Sequence, residues 1–294
     1  MSEENPYLGQ LRSQAGLRLM VLFASFFVLI LVSAMVAQGL AAIPGIGERT
    51  ALLLSSLTQC VVAFCLPAWL TAKFASKRPW QFLGVSKVAP WRAFEGVMIV
   101  YLLALPAMNW LIEWNANIHL PEWASGFEAT LRSWEESNAG VANKVLMSDS
   151  FWGMLAGVAI IGIATGFSEE VFFRGALQTI FKETGMKAWL AVWATAIIFS
   201  AIHFQFFGFI PRVLMGAFFG YLLVWTGSLW PGVFAHAFNN SIVVIGAWVW
   251  GDPEATGMTE MMNPWLAISS ALATVIFFRY FRNYFFKTNS SVNG

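Results

Sequence analysis

Eight stretches of this chain are apolar for 18 residues or more: about 17–43, 50–72, 93–113, 151–181, 188–207, 209–226, 229–250 and 264–285. A helix of about 20 mainly apolar residues crosses ~30 Å of hydrocarbon. Lipid offers no hydrogen-bond partner to a backbone amide, so each crossing segment has to be helical. The expected fold is therefore all-α, a polytopic membrane helix bundle of about eight transmembrane helices. The first run is too long for a signal-peptide core and lacks a small-residue cleavage site, so it reads as an uncleaved first span. No repeat, low-complexity tract or long linker interrupts the 294 residues, which read as a single integral-membrane domain, residues 1–294.

Composition narrows the functional classes. Only 11% of residues are charged against 58% hydrophobic, and 17 Lys and Arg nearly cancel 16 Asp and Glu, leaving a net charge of +1. That balance gives no footprint for a nucleic acid, so the bilayer itself is the first expected partner. Cys60 and Cys65 share one apolar run and are too few for a disulfide framework or a cysteine metal cluster; they read as small core residues.

The charges that remain are sorted by side. With eight spans and a cytoplasmic N-terminus, the cytoplasmic face receives Arg12, Arg18, Lys73, Lys77, Arg78, Lys87, Arg92, Lys182, Lys187, Arg279, Arg282 and Lys287. The other face receives Arg49, Arg132 and Lys144 together with an excess of acids that includes Glu113, Glu128, Glu135, Asp149, Asp252, Glu254 and Glu260. Short cytoplasmic loops collect Lys and Arg, so both termini are expected in the cytoplasm and the protein in the cell's inner membrane. Tryptophans such as Trp69, Trp91, Trp110, Trp152 and Trp230 gather near the ends of the runs, at headgroup level. The segment 114–150 is expected to lie as interfacial helix and loop on the outer face, with His119 as a solvated loop histidine.

Seven ionisable residues fall inside apolar runs: Glu95, Glu169, Glu170, Arg174, His203, Arg212 and His236. Each charge near the bilayer centre costs roughly 2.5 to 3.5 kcal/mol on insertion scales, so Glu169, Glu170 and Arg174 left unpaired would cost ~8 kcal/mol together. A whole domain is stable by only about 5 to 15 kcal/mol. Such a cluster needs internal partners and usually serves a purpose. Glu95 is expected to snorkel or pair with Arg92, Arg212 to sit at the interface, and Gln205 lies close enough to His203 in sequence to hydrogen-bond near it.

Three motifs carry the cluster. In Ser168-Glu169-Glu170-Val171-Phe172-Phe173-Arg174-Gly175, Glu170 and Arg174 stand four apart on one helix face and can pair. Glu169 points about 100° away and stays available as a base. In Phe199-Ser200-Ala201-Ile202-His203 the first and last residues share a face, as do His236 and Asn240 in His236-Ala237-Phe238-Asn239-Asn240. A carboxylate, two imidazoles and a carboxamide on three helices supply a base, a proton partner and donors for an oxyanion. At 1.5 Å per residue, Glu169 lies about 20 Å from the Lys182 level and His203 about 24 Å from Lys187. His236 comes out only about 10 Å from Leu229, so either the Thr226-Gly227-Ser228 connection dips into the protein or the run begins elsewhere. The fourth run exceeds the hydrocarbon thickness and calls for tilt or a kink near Gly162 or Gly166.

In this order, the motifs Glu-Glu-x-x-x-Arg, Phe-x-x-x-His and His-x-x-x-Asn resemble the CPBP intramembrane protease family. That family includes the CAAX prenyl endopeptidases of the Ras-converting-enzyme type and the bacterial Abi-like proteins. The likeness covers a motif-bearing core of about 151–250. It implies a metal-independent glutamic endopeptidase that needs no cofactor and cuts membrane-associated proteins near the C-terminus, prenylated ones among them. By the same resemblance Glu169 with His203 activates a water, His236 with Asn240 stabilises the oxyanion, and Glu170, Arg174 and Phe199 support them. The roles of Glu169 and Glu170 are interchangeable at this point.

Two other readings compete. His203, His236 and Glu169 could hold a catalytic zinc ion, although no His-Glu-x-x-His is present. Alternatively the cluster could clamp helices in a non-enzymatic scaffold or immunity protein, or line the path of a transporter. No Gly-x-Ser-x-Gly turn supports a serine nucleophile.

Overall fold

The structure, a computed structural model, describes residues 6–251 and 263–292, without the side chains of 6–13 and 285–292. Asp252, Glu254 and Glu260, and the side chains of Arg12 and Lys287, lie outside the described residues. The described elements are helical throughout: α1 Pro6–Ala41, α2 Glu48–Ala75, α3 Trp91–Ala116, α4 Ser125–Leu146, α5 Phe151–Glu183, α6 Ala188–Ala201, α7 Phe209–Thr226, α8 Trp230–Trp250 and α9 Pro264–Val292. A one-turn helix at Pro79–Phe82 sits in the connection between α2 and α3.

Seven helical stretches among the described residues are long and apolar enough to cross a membrane. The expected eighth, 188–207, is shorter than its apolar run. Helix α6 stops at Ala201 after 14 residues, about 21 Å. The chain reverses through 202–205, where Phe204 takes a left-handed conformation with φ 52°. Non-glycine residues rarely adopt that region, and no glycine marks the break. The freed backbone of the turn is met by polar side chains: the Asn115 amide donates to the Phe206 carbonyl, the Ile210 N–H donates to Asn115 Oδ1, and the Phe207 N–H donates to Glu135.

Ion pairs and hydrogen bonds match up the helix ends. Arg18 near the start of α1 pairs with Glu183 at the end of α5 at 2.5 Å, and Glu48 at the start of α2 pairs with Lys144 late in α4 at 2.7 Å. Arg92 donates to the Tyr284 hydroxyl at 2.7 Å, while Glu95 is exposed. The strand of connections therefore alternates between two ends of the bundle, with α4 at the end shared by Glu48, Asn115 and the 202–208 turn. His119 has a partner that the sequence did not reveal: its exposed ring contacts the Glu128 carboxylate at 2.9 Å, which also accepts from the Leu120 N–H and Arg132.

Helix α5 resolves the length problem by widening as well as by any tilt. It runs as α-helix through Phe151–Gly157, π-helix through Val158–Ala164, α-helix through Thr165–Glu170 and π-helix again through Val171–Gln178. Local π turns are rare and concentrate at functional sites. The two glycines expected to kink this helix bring it against α8 instead. A Cβ on Gly162 would stand 2.3 Å from Ser241 Oγ, and one on Gly166 would stand 2.8 Å from the Ala237 backbone nitrogen. Small residues permit such close approach, the chief source of helix association in lipid. An aromatic file runs into the buried core, half-buried Phe26 followed by buried Phe172, Phe173 and Phe199, with successive ring centroids 5.0–5.1 Å apart.

Candidate active site

The Glu-Glu-x-x-x-Arg motif straddles the α-to-π transition of α5, and its three charged side chains are buried. Arg174 Nη1 donates to Glu170 Oε1 at 2.6 Å, with both side chains sealed from solvent. Arg174 Nη2 reaches across to the Gly216 carbonyl on α7 at 2.9 Å. One turn further on, Gln178 repeats the reach to the Gly220 carbonyl at 3.1 Å. The guanidinium also lies over the Phe199 ring, 4.5 Å from its centroid, and near that of Phe219 at 5.4 Å. Removal of either partner from a buried pair leaves an uncompensated charge, so these auxiliary bonds decide whether the pair can exist in lipid.

His236 projects from α8 into this cluster. Its Nδ1 stands 3.0 Å from Glu170 Oε1 and its Nε2 stands 3.7 Å from Glu169 Oε2. Phe219 stacks on the ring at 5.2 Å and 23°, and Phe199 meets it edge-on at 5.7 Å. With Nδ1–H donated to Glu170, the Nε2 edge is the one presented to Glu169. Glycine makes the approach possible, since a Cβ on Gly232 would stand 3.1 Å from Glu170 Oε2. Glu169 Oε2 and Glu170 Oε2 are buried and have no hydrogen-bond partner among the described residues. Glu169 makes no contact with Arg174 of the kind Glu170 makes, so the division into one paired and one unpaired carboxylate expected from helical spacing is present in the structure.

The depth conflict at His236 has a physical answer. The connection between α7 and α8 does dip: Thr226, Ser228 and Leu229 are buried beneath the chain segment 84–87. Leu229 N–H donates to the Gly84 carbonyl, Ser228 Oγ to the Lys87 carbonyl and Trp230 Nε1 to the Val85 carbonyl. Helix α8 thus starts inside the protein, and a histidine only two turns along it reaches the carboxylates.

The remaining site residues are placed less directly. His203 lies just beyond the end of α6, and its Nδ1 meets the Phe199 carbonyl at 2.6 Å. Its ring packs edge-on against Phe199 at 4.9 Å, so Phe199 stands between the two imidazoles. Asn240, one turn past His236, donates to the Ile161 carbonyl at 3.2 Å in the first π segment of α5 and accepts from Asn239. Arg212, expected at the interface, is half-buried and donates to both the carbonyl and the side-chain oxygen of Gln205. Among the described residues no three His, Cys, Asp or Glu side chains converge as a metal-binding group, so His203, His236 and Glu169 do not form the ligand set considered above. Cys60 Sγ is 3.4 Å from Thr165 Oγ1, and both cysteines are free.

Sequence reasoning missed Phe219, Gln178, Gly216, Gly220 and Gly232. A signal existed for three of them, Gln178, Gly216 and Gly220: Arg174 and Gln178 repeat at the four-residue spacing of Gly216 and Gly220, donors on one helix facing carbonyls exposed by small residues on another.

An apolar groove of about 460 Å³ lies between α3, α7 and α9. Tyr101, Ala104, Leu105, Phe218 and Phe278 line it, and Asn239 reaches its wall. Tyr101 donates across to the Ala235 carbonyl, immediately before His236.

Comparison with known proteins agrees with the motifs. Residues 151–242 match the family model described as type II CAAX prenyl endopeptidase Rce1-like. Among curated proteins, the chain is similar to the uncharacterized protein YpbD of Bacillus subtilis (strain 168), 27% identical over 89 residues. That match covers 29% of this chain and 42% of YpbD, less than half of the relative's length. No solved structure matches the chain. The family resemblance inferred from three short motifs is thus found by a family model over the same stretch, α5 to α8.

Proposed function

We propose that this chain is an intramembrane glutamic endopeptidase that hydrolyses a peptide bond near the C-terminus of a membrane-associated protein. The observation that carries the reading is the arrangement of Glu169, His236 and Glu170: an unpaired buried carboxylate faces an imidazole whose far nitrogen is held by a second, Arg-paired carboxylate. The Rce1-like match over the same helices supports the reaction class.

In the proposed reaction Glu169 takes a proton from a water molecule as the water oxygen bonds to the scissile carbonyl carbon. The carbonyl π pair moves to oxygen. When both nitrogens of His236 carry protons, Nδ1–H remains with Glu170 and Nε2–H is the donor to that oxyanion, joined by the second amide hydrogen of Asn240. Collapse of the tetrahedral intermediate breaks the C–N bond, and the leaving nitrogen takes the proton held by Glu169. His203, with Nδ1–H given to the Phe199 carbonyl, keeps Nε2 free to accept and helps orient the water. Glu170, Arg174 and Phe199 position His236. The groove beside Asn239 favours a substrate that carries a lipid chain, prenyl groups included.

The alternation of helix ends, together with the Lys and Arg concentrated at the end bearing Lys73, Lys77, Lys182 and Lys187, supports an inner-membrane protein with both termini in the cytoplasm.

The test compares cells that carry the natural protein with cells that carry Glu169→Gln. Membrane proteins trimmed at the C-terminus are expected in the first and full-length counterparts in the second, with unchanged thermal stability of the purified variant. Identical C-terminal peptides in the two cell lines defeat the proposal.

A further inference from the structure

Where α2 ends, the chain turns basic with no acid to balance it. From Lys73 to Phe94 it carries Lys73, Lys77, Arg78, Lys87 and Arg92 and neither Asp nor Glu. A cavity of about 410 Å³ opens at this corner, lined by Lys73, Phe74, Ala75, Ser76, Lys77 and Pro79. Both lysines are exposed. A lysine near the end of a helix ordinarily answers the helix's own unpaired carbonyls. Neither does so here. Lys73 Nζ lies one turn back, 5.1 Å from the centroid of the Trp69 ring, and Lys77 has no hydrogen bond or ion pair among the described residues. The Ser76 hydroxyl accepts from the Arg78 N–H at 3.0 Å and keeps its own hydrogen to donate. At the opposite end of the bundle, by contrast, the exposed Lys144 is closed by Glu48.

The rim of the cavity is apolar. Leu70 and Phe74 on α2 and Trp80 just beyond it are 39%, 57% and 45% exposed. Helix α2 is long and apolar enough to cross a membrane, so its last turn, with Trp69 and Trp80 around it, belongs at headgroup level. Two ammonium groups without a counter-ion and a hydroxyl donor match a phosphodiester that carries a net negative charge. The exposed apolar residues beside them match the acyl chains attached to it. A soluble phosphate would use the cations and leave the rim without a partner, whereas basic pockets beside membrane spans take anionic headgroups.

We infer that the cavity formed by Lys73, Ser76 and Lys77 is a binding site for the headgroup of an anionic phospholipid, whose chains lie along the exposed face of α2. The inference stands apart from the endopeptidase reading. From this cavity the chain continues through Pro79–Phe82 into the segment 84–87, which carries the turn between α7 and α8. The lipid therefore anchors to the leaflet the same corner that sets the depth of His236.

The experiment uses the full chain in mixed vesicles of phosphatidylcholine and phosphatidylglycerol. The protein is extracted into mild detergent and its retained lipids are identified by native mass spectrometry. One phosphatidylglycerol is expected to stay bound in preference to phosphatidylcholine. Lys73→Gln and Lys77→Gln should each lower that preference about 5-fold, and the double variant about 25-fold, the factors for about 1 kcal/mol per cation at an anionic surface. Ser76→Ala should lower it about 2- to 10-fold, the loss of one hydrogen bond. Lys187→Gln, which removes an exposed lysine of the same end outside the cavity, should leave it unchanged. Thermal unfolding in phosphatidylcholine alone should be the same for all these proteins, which separates lost binding from lost folding. Absence of any preference in the natural protein overturns the inference. So does an equal loss on Lys187→Gln, because the basic end would then act as a diffuse charge. Inorganic phosphate is the arm for a soluble anion: retained phosphatidylglycerol should persist in its presence, and displacement by it would assign the cavity to free phosphate and overturn the lipid.

Discussion

The Nδ1 atom of His236 stands 3.0 Å from Glu170 Oε1, so in the proposed reaction the second glutamate of the pair acts through the imidazole. Glu170 therefore has two dependents, Arg174 and His236. Glu170→Ala should destabilise the protein by about 3–5 kcal/mol, because a buried guanidinium is left alone. The double variant Glu170→Met/Arg174→Met should recover most of that stability but none of the cleavage, since His236 loses the acceptor that orients it. Thermal unfolding in detergent, set beside peptide turnover, checks both statements. Recovered turnover in the double variant would remove Glu170 from the positioning role.

Glycine at 166 decides whether the cluster can close. A methyl group there would stand 2.8 Å from the Ala237 nitrogen, a backbone atom of α8 that cannot step aside alone. Gly166→Ala should therefore cost about 1–3 kcal/mol and lower turnover by drawing His236 away from the carboxylates. Gly39→Ala in α1, where nothing lies within 4 Å, should be silent or slightly stabilising.

Outside the membrane, Glu128 predicts a pH response. The Leu120 N–H, then the Arg132 and His119 side chains, hold its carboxyl down to about 2. A carboxylate whose folded value lies below the unfolded value of about 4.3 adds stability that is complete above that pH and is lost as pH falls toward the folded value. Protection of the Leu120 amide from hydrogen exchange should thus be constant at neutral pH and decline between about pH 4 and 2. Arg132 also covers the Phe207 ring at 3.9 Å, so the 202–208 turn should loosen over the same range. Glu128→Gln should show no such decline.

The groove beside Asn239 predicts a split between substrates. Ala104→Phe places a ring inside the 460 Å³ space. It should raise KM for a farnesylated peptide about tenfold or more and leave a peptide without a lipid nearly unchanged, since a displaced chain of several carbons loses roughly 0.8 kcal/mol per CH₂. Equal effects on the two peptides would separate the groove from substrate binding.

Much of the site was legible because the membrane makes polarity scarce. Glu169, Glu170, Arg174 and His236 stand out in apolar runs, and their helical spacing already distinguished a paired from an unpaired carboxylate. Two features escaped. The end of α6 depends on Phe204 in a left-handed conformation, which neither hydropathy nor a glycine announces, so an apolar run continuing to 207 read as a full span. The depth of His236 depends on a buried turn secured by Gly84, Val85 and Lys87, more than 140 positions away in sequence. Such tertiary contacts leave no periodicity. The π segments flanking Thr165–Glu170 were likewise visible only as an excess of length.

The brevity of α6 has a consequence for the bilayer. At about 21 Å it falls roughly 9 Å short of the usual hydrocarbon thickness, while Trp189, Leu190 and Ile197 expose it to lipid. Acyl chains beside it must compress or splay to meet it, at fractions of a kcal/mol per Å of mismatch. Thinning of this kind would draw the leaflet in beside His203 and bring headgroups with their water closer to the buried carboxylates. Host lipid would then be a control on the proposed activity: short-chain bilayers should ease hydration of the site, and long-chain bilayers should starve it.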